Sequence, residues 1–218
     1  MTKRAFVFDF DGVIIDNEKS WEEAKKHMYL RLYGRDIAQK LQKTSGLDIE
    51  AINKLAQEYG STISLQKLFN EFEIQAQTIY QESPITSGLE DLILLLQEEK
   101  YLIGVVSASP RSWIDIVLDR VKWSGLINEI ISLYDRKELA HKPAPDGYTE
   151  IMKLFAVQPS KTIVVEDSNA GIISAKSAGA YVVGFQQNLP DAYELSGADE
   201  YAFNTSDLKS LVSEFGIT

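Results

Sequence analysis

Two aspartates at the end of a short apolar stretch are the first residues whose types and spacing suggest chemistry. The stretch Ala5–Phe8 is typical of a buried strand and leads into Asp9, Phe10, Asp11 and Gly12. Alternate residues of an extended chain share a face, so we expect Asp9 and Asp11 to converge. Converging carboxylates repel each other unless a proton or a cation lies between them. The structural alternative is a strand that leaves its sheet through a polar Asp-Gly turn.

Two later apolar stretches also end in polar residues, and a lysine lies between them. These residues are Ser107, Ala108 and Ser109 after the stretch 101–106, Lys142, and Glu166, Asp167 and Ser168 after the stretch 162–165. Open α/β sheets bind their ligands at the carboxyl ends of parallel strands. Carboxylates gathered there suit Mg²⁺, which prefers oxygen ligands and retains waters beside a phosphate oxygen. Ser107 with the nearby backbone N–H groups, including that of Ala108, and Lys142 would then bind a phosphoryl group.

Composition narrows the possible classes of protein. The 218 residues are 44% hydrophobic and 25% charged, which is ordinary for a soluble globular chain. A net charge of -10 argues against general nucleic-acid binding. There are no cysteines, which excludes disulfides and thiol chemistry. No stretch approaches the ~20 apolar residues of a membrane span, and the apolar run near the N-terminus is too short and acidic for a signal peptide. We therefore expect a cytoplasmic protein without nucleic-acid or membrane partners.

Alternating strand and helix patterns predict the fold class, an α/β, doubly wound parallel sheet with an inserted all-helical domain. Residues 16–82 show helical periodicity only, with stretches at 18–33, ended by Gly34, and at 37–41, 49–59 and 65–80. The predicted domains are 1–15 with 83–218 for the α/β core and 16–82 for a helical cap. We expect the cap to act as a lid that excludes water from the strand ends. Ser87 is a candidate cap for a helix over 89–99.

The polar clusters occur in the order of four motifs that resemble the phosphatase branch of the haloacid dehalogenase superfamily, with a helical cap after the first motif. The residues that carry the resemblance are Asp9-Phe10-Asp11-Gly12, Ser107, Lys142 in Lys142-Pro143-Ala144-Pro145-Asp146, and Glu166-Asp167-Ser168-Asn169-Ala170-Gly171-Ile172. Each motif alone is weak, whereas the ordered set is specific and spans nearly the whole chain. The dehalogenases of this superfamily lack the second aspartate of the first motif, so Asp11 points to phosphoryl transfer.

The resemblance implies a role for each motif residue. Asp9 would be the nucleophile that forms an aspartyl-phosphate, and Asp11 the general acid and then the general base. Asp9, the backbone carbonyl of Asp11, and Asp167 with Glu166 would hold Mg²⁺. Ser107, Ala108 and Lys142 would bind the transferred phosphate, and Gly46 in the cap loop would contact the substrate. Ser109 and Ser168 have turn or helix-cap roles as the structural alternative.

The function that we predict is a Mg²⁺-dependent phosphatase of small phosphate monoesters, of the sugar-phosphate or phosphoglycolate type. Its partner would be a small phosphorylated metabolite, and we expect a monomer. The alternative is a β-phosphoglucomutase, which carries a histidine where this chain has Trp21 and a lysine beside the cap-loop glycine, where Ser45 precedes Gly46. A phosphoacceptor signalling domain and an inactive binding module are further alternatives, but the first would need neither Asp11 nor a cap.

Overall fold

The computed structural model describes residues 3–41, 49–190 and 193–215. The chain divides into two compact units, one formed by Met1–Asp16 with Pro84–Thr218 and the other by Asn17–Ser83. The first unit contains a six-stranded sheet with helices, and the second contains helices. Among the described residues, none of the helices combines the length and the apolar character that a bilayer span requires.

All six strands of the first unit are parallel. They are β1 Arg4–Phe8, β2 Tyr101–Ser107, β3 Glu129–Ser132, β4 Thr162–Glu166, β5 Tyr181–Phe185 and β6 Glu200–Ala202, in the spatial order β3-β2-β1-β4-β5-β6. The chain builds one side of the sheet from β1 to β3 and then crosses to build the other side from β4 to β6. The switch point of this topology lies between β1 and β4, which is where such sheets place their ligands.

The register aligns the carboxyl ends of three neighbouring strands, β2, β1 and β4, at one edge of the sheet. Phe8, the last residue of β1, is paired with Val105 of β2 and with Val165 of β4. These strands are apolar almost throughout because both faces of a parallel sheet are covered by helices. Every residue of β4 is buried, as are the last four of β1. The polar residues that follow the three strands therefore leave the core at one shared edge.

Helices complete the two units. Those of the sheet unit are α4 Leu89–Glu98, α5 Arg111–Leu118, α6 Asp146–Phe155, α7 Asn169–Ser177 and α8 Thr205–Phe215, and those of the helical unit are α1 Glu18–Leu41, α2 Ile49–Glu58 and α3 Leu65–Glu82. The helices of the sheet unit pack on it mainly through apolar side chains, among them Ile151 and Phe155 of α6. The predicted fold class, a doubly wound parallel sheet with a helical insertion, is confirmed.

Gly34 interrupts α1, at the residue where the sequence predicted the end of the first helical stretch. Its φ of 74° and ψ of 175° lie outside the helical region. Trp21, near the start of α1, is buried, and its ring lies 5.7 Å from that of Phe72 and 6.1 Å from that of Tyr80 between centroids. Both partners belong to α3, so Trp21 is part of the core of the helical unit.

Two features of the sheet unit differ from the sequence-based expectations. The residue before α4 is Gly88, in a left-handed conformation, and not Ser87. The backbone carbonyl of Ser87 instead accepts a hydrogen bond of 2.8 Å from the Thr205 hydroxyl, which belongs to α8. Neither β6 nor α8 was predicted from the sequence.

Candidate active site

Asp9 is held at the carboxyl edge of the sheet by the strand that precedes it. Its backbone N–H donates to the Val165 carbonyl at 2.9 Å and so extends the pairing of β1 with β4 by one residue. The side chain is buried, and Oδ1 is in contact with Nζ of Lys142. Burial raises the pKa of the Asp9 carboxyl well above its ordinary value, while the adjacent Lys142 ammonium acts in the opposite direction.

Lys142 has an acceptor for each of its three N–H protons. Nζ donates to Oδ1 of Asp9, to Oε1 of Glu166 at 2.6 Å, and to the Val106 carbonyl at 3.2 Å. Burial by itself would lower the pKa of this ammonium, but the two carboxylates outweigh burial and raise it. Lys142 is therefore a fixed positive charge beside Asp9.

Glu166, the last residue of β4, accepts hydrogen bonds on both of its carboxylate oxygens. Oε1 accepts from Lys142 and from the Tyr148 hydroxyl, each at 2.6 Å. Oε2 accepts from Ser168, from the backbone N–H at 3.3 Å and from the hydroxyl at 3.0 Å. Gly171 makes room for this carboxylate, since a Cβ there would lie 1.9 Å from its carbon. Four donors thus fix the orientation of Glu166.

Three buried carboxylates form a candidate metal site. Asp9, Glu166 and Asp167 each offer an oxygen atom, and these oxygens lie within 4.8 Å of one another. When ionised, they leave two net negative charges after Lys142 is counted, which matches the charge of a divalent cation. An all-oxygen donor set of this kind fits Mg²⁺. The Asp11 side chain is not part of this group, and its backbone carbonyl remains a predicted ligand.

Gly12 lies directly against the proposed metal ligand Asp167. Its φ is +77°, and a Cβ at this position would lie 1.7 Å from Oδ2 of Asp167. The Gly12 carbonyl accepts a 2.9 Å hydrogen bond from the side chain of Asn188, which also donates to Thr86. The turn after Asp11 is therefore close-packed against the carboxylate cluster and secured by a side chain from a distant part of the chain.

Asp11 is bound to the loop that follows β2. The Ser109 hydroxyl donates to Oδ2 of Asp11 at 2.6 Å. Ser109 is itself held, because its N–H donates to the Ser107 hydroxyl oxygen at 2.9 Å and its carbonyl accepts from the Ser132 hydroxyl at 2.8 Å. The structural alternative gave Ser109 a turn or helix-cap role and did not include the contact of its side chain with Asp11. The hydroxyl that stabilises this turn is that of Ser107.

The remaining predicted site residues have different surroundings. Ala108 is exposed between the two serines. Ser168 caps α7, because its hydroxyl accepts from the Gly171 N–H at 3.0 Å, as the capping alternative predicted. Gly46, the predicted substrate contact, lies outside the described residues, as does Ser45. The structure thus brings Asp9, Lys142, Glu166 and Asp167 into one cluster. Asp11, two residues after Asp9, is paired instead with Ser109.

Two residues of the site, Tyr148 and Asn188, were missed by the sequence analysis. Tyr148 lies in the first turns of α6, six residues after Lys142, and is fully buried. An aromatic residue in a helix is typical of the core, but its type alone gives no sign that its hydroxyl contacts Glu166. Asn188 follows β5 in a stretch without a motif, so no signal in the sequence connected it with Gly12.

Comparisons with known proteins agree with this arrangement. The family model described as haloacid dehalogenase-like hydrolase matches residues 6–185. Hexitol phosphatase B of Escherichia coli (strain K12) is 29% identical over 180 residues, covering 80% of this chain and 79% of that protein. Beta-phosphoglucomutase of Bacillus subtilis (strain 168) is 28% identical over 215 residues, covering 94% and 91%.

A solved structure shows the same fold. The HAD hydrolase of family IA, variant 3, from Entamoeba histolytica superposes with a TM-score of 0.80 at 20% identity, covering 99% of this chain and 100% of that one. The family model spans more than half of the chain and includes the buried cluster at the end of β1 and β4. The resemblance that the four motifs indicated is confirmed, and the chain belongs to the haloacid dehalogenase-like hydrolase family.

Proposed function

We propose that this enzyme is a Mg²⁺-dependent phosphatase that hydrolyses small phosphate monoesters through an aspartyl-phosphate on Asp9. The observation that carries the proposal is the buried cluster in which Lys142 contacts both Asp9 and Glu166, with Asp167 beside them. A carboxylate nucleophile needs a neighbouring positive charge when it approaches an anionic phosphoryl group. The names of the relatives, a hexitol phosphatase among them, support a phosphoric monoester as the substrate.

The chain's own residues account for both halves of the reaction. An oxygen of Asp9 attacks the phosphorus, the bond from phosphorus to the ester oxygen breaks, and Asp11 gives a proton to the leaving alcohol. Asp11 then takes a proton from a water molecule that attacks the phosphorus, which releases inorganic phosphate and restores Asp9. Ser107, Ala108 and Lys142 would hold the phosphoryl oxygens during both transfers.

The position of Asp11 supports its assignment as the acid and base. Its Oδ2 is bound by Ser109, so the carboxyl group is oriented by a neighbour outside the metal cluster. Asp9 has a different environment, buried against Lys142. The two aspartates therefore have separate partners although only one residue lies between them, and this separation suits a nucleophile and a proton-transfer group.

Mg²⁺ is the cofactor that the donor set fits. Asp9 and Asp167, with the Asp11 carbonyl and Glu166, are the residues proposed to hold it. When bound, the ion supplies positive charge that stabilises negative charge on the transferring phosphoryl group. Glu166 already accepts four hydrogen bonds, so coordination by one of its oxygens would replace a donor.

A β-phosphoglucomutase remains the second candidate, because one relative that bears this name is 28% identical over 94% of the chain. In a mutase the acceptor of the phosphoryl group is a sugar phosphate and not water. Trp21 occupies the position of the mutase's cap histidine, and its ring packs inside the helical unit against Phe72 and Tyr80. A buried indole cannot exchange protons with a substrate, so Trp21 favours the phosphatase.

The substrate that we propose is a small phosphorylated sugar or polyol, or phosphoglycolate, with Gly46 as a contact. A monomer is the proposed oligomeric state, because one chain supplies the whole cluster of motif residues. The cytoplasm is the proposed location, and it agrees with a sequence that contains no cysteine. Nucleic acid is a poor substrate for a chain with a net charge of -10.

A phosphate-release assay tests the proposal. The purified protein is incubated with p-nitrophenyl phosphate and a panel of sugar phosphates, polyol phosphates and phosphoglycolate, with Mg²⁺ and with EDTA. We expect phosphate release that EDTA abolishes and Mg²⁺ restores. Failure to release phosphate from any ester would contradict the phosphatase, and interconversion of β-glucose 1-phosphate and glucose 6-phosphate would establish the mutase instead.

A further inference from the structure

Tyr148 contacts the charged cluster in two ways although it belongs to no motif. Its hydroxyl donates to Oε1 of Glu166 at 2.6 Å, the same oxygen that accepts from Lys142. Its ring lies beneath the lysine, with Nζ of Lys142 5.3 Å from the ring centroid. A cation within about 6 Å of an aromatic ring centroid is attracted to the ring face. One side chain thus contacts both members of the Lys142–Glu166 ion pair.

The shared oxygen links the Tyr148 hydroxyl to the position of Lys142. When two donors share one carboxylate oxygen, the attraction between that oxygen and each donor is weaker than it would be for one donor alone. Without the hydroxyl, Oε1 of Glu166 would be compensated by Lys142 alone, and the ammonium would move toward Glu166 and away from Asp9. Burial raises the pKa of the Tyr148 hydroxyl well above its ordinary value, and Glu166 raises it further, so the group stays a donor at neutral pH.

We propose that Tyr148 is a positioning residue that keeps Lys142 directed at Asp9 and at the transferring phosphoryl group, by sharing the Glu166 carboxylate and by supporting the ammonium with its ring. This inference rests on the proposed phosphatase function. Tyr148 acts through Lys142 and Glu166, since its own contacts are with these two residues of the cluster.

The test is the Tyr148→Phe variant, which removes the hydroxyl and keeps the ring and its packing. Inhibition by inorganic phosphate and kcat/KM for p-nitrophenyl phosphate are measured at saturating Mg²⁺. Because hydrogen bonds to charged groups are worth about 1.5–3 kcal/mol, we expect the inhibition constant of phosphate to rise and kcat/KM to fall, each by roughly tenfold or more. Because the Tyr148 hydroxyl binds the proposed Mg²⁺ ligand Glu166, we expect the Mg²⁺ concentration for half-maximal activity to rise as well, and measuring at saturating Mg²⁺ separates this effect from the one on phosphate.

The matched control is Tyr181→Phe. The Tyr181 hydroxyl also donates to a carboxylate, Oε2 of Glu200 at 2.9 Å, but at the amino end of β5, on the opposite edge of the sheet. We expect the kinetics of Tyr181→Phe to equal those of the wild type. Loss of a tyrosine–glutamate hydrogen bond elsewhere in the protein would then be excluded as the cause of the Tyr148→Phe effect.

Two outcomes would overturn the inference while leaving the proposed function intact. The first is a folded Tyr148→Phe enzyme whose phosphate inhibition constant and kcat/KM equal those of the wild type. The second is a Tyr148→Phe chain that does not fold, since the hydroxyl would then serve the fold and not the lysine. Absence of turnover by the wild type, in contrast, would contradict the proposed function itself and this inference with it.

Discussion

At the scale of single residues, the two aspartates of the first motif differ in their partners. Asp9 is buried against Lys142 and lies among the carboxylates of the candidate metal site. Asp11 is partly exposed, and Ser109 binds its side chain. The same residue type can thus serve as a nucleophile at one position and as an acid and base two residues later, because the neighbours of each carboxyl differ.

The Asp11→Asn variant separates these roles. Nitrophenolate leaves without a proton, so we expect p-nitrophenyl phosphate to give an initial burst of nitrophenolate stoichiometric with the enzyme. The following steady-state rate should fall by about 10²–10⁴-fold, because water has lost its base. Alkyl phosphates, which need the acid, should show no burst. Calorimetry of Mg²⁺ binding provides the control, and loss of that binding would contradict the assignment of the Asp11 backbone as the ligand.

Gly12→Ala tests the close approach of the turn to Asp167, a proposed metal ligand. The new Cβ would lie 1.7 Å from Oδ2 of Asp167, so this carboxylate or the turn has to move. A displacement of about 1 Å in an active site costs on the order of 10²-fold in rate, and we expect at least that loss in kcat/KM, with weaker Mg²⁺ binding. Gly125→Ala, where a Cβ meets nothing within 4 Å, is the control. Wild-type kinetics in Gly12→Ala would contradict the claim that the turn must lie this close to Asp167 for activity.

At the scale of the elements, the register of the sheet explains why motifs that are distant in sequence meet. Phe8 is paired with both Val105 and Val165, so the residues after β1, β2 and β4 leave the sheet at the same level. Lys142 precedes α6, and Tyr148 lies in the first turn of this helix, six residues after the lysine. The cluster is therefore fixed by buried strands and a helix rather than by loops alone.

The sequence predicted the elements that have a strong apolar pattern and the motif residues at their ends. It did not predict β6, because three residues with one buried side chain carry too little periodicity. It predicted the start of α4 at residue 89 but proposed Ser87 as the cap, whereas Gly88, in the left-handed conformation, precedes the helix. The contacts of Ser109 with Asp11 and of Tyr148 with Glu166 join residues that are far apart in the sequence. They depend on which side chains face each other in the folded chain, and the pattern of a single sequence does not show this.

Gly34→Ala tests the break in α1. Gly34 has φ 74° and ψ 175°, a region that residues with a Cβ avoid, at a cost of about 1–3 kcal/mol. A Cβ there meets nothing within 4 Å, so the expected loss of stability comes from the backbone and not from a clash. We expect a lower midpoint of thermal unfolding. Gly125→Ala, equally open but without a left-handed φ, should match the wild type, and equal midpoints for the two variants would contradict this account.

At the scale of the whole molecule, the buried cluster links metal binding to stability. Three buried carboxylates and one lysine leave excess negative charge at the carboxyl edge of the sheet. A ligand that binds the folded state alone stabilises it in proportion to the logarithm of its concentration. We expect the unfolding temperature to rise with Mg²⁺ concentration in the wild type and to stay nearly constant in Asp167→Asn. An equal rise in both proteins would contradict Asp167 as a metal ligand.

The family assignment and the cluster agree on the class of reaction, and the comparisons include both a phosphatase and a phosphoglucomutase. What distinguishes the two activities is the acceptor of the phosphoryl group, which is water in a phosphatase and a sugar phosphate in a mutase. The proposed nucleophile, Asp9, is in contrast the same for both. The role of Asp9 can therefore be tested before the natural substrate is known.

The most direct test of the central claim compares the rate of p-nitrophenyl phosphate hydrolysis by the wild type and by Asp9→Asn at saturating Mg²⁺. Circular dichroism first establishes that the variant is folded. Because an amide cannot form the aspartyl-phosphate, we expect Asp9→Asn to lose activity by more than about 10³-fold, the scale on which removal of a nucleophile acts. Hydrolysis by a folded Asp9→Asn enzyme at the wild-type rate would contradict the claim that Asp9 is the nucleophile of this phosphatase.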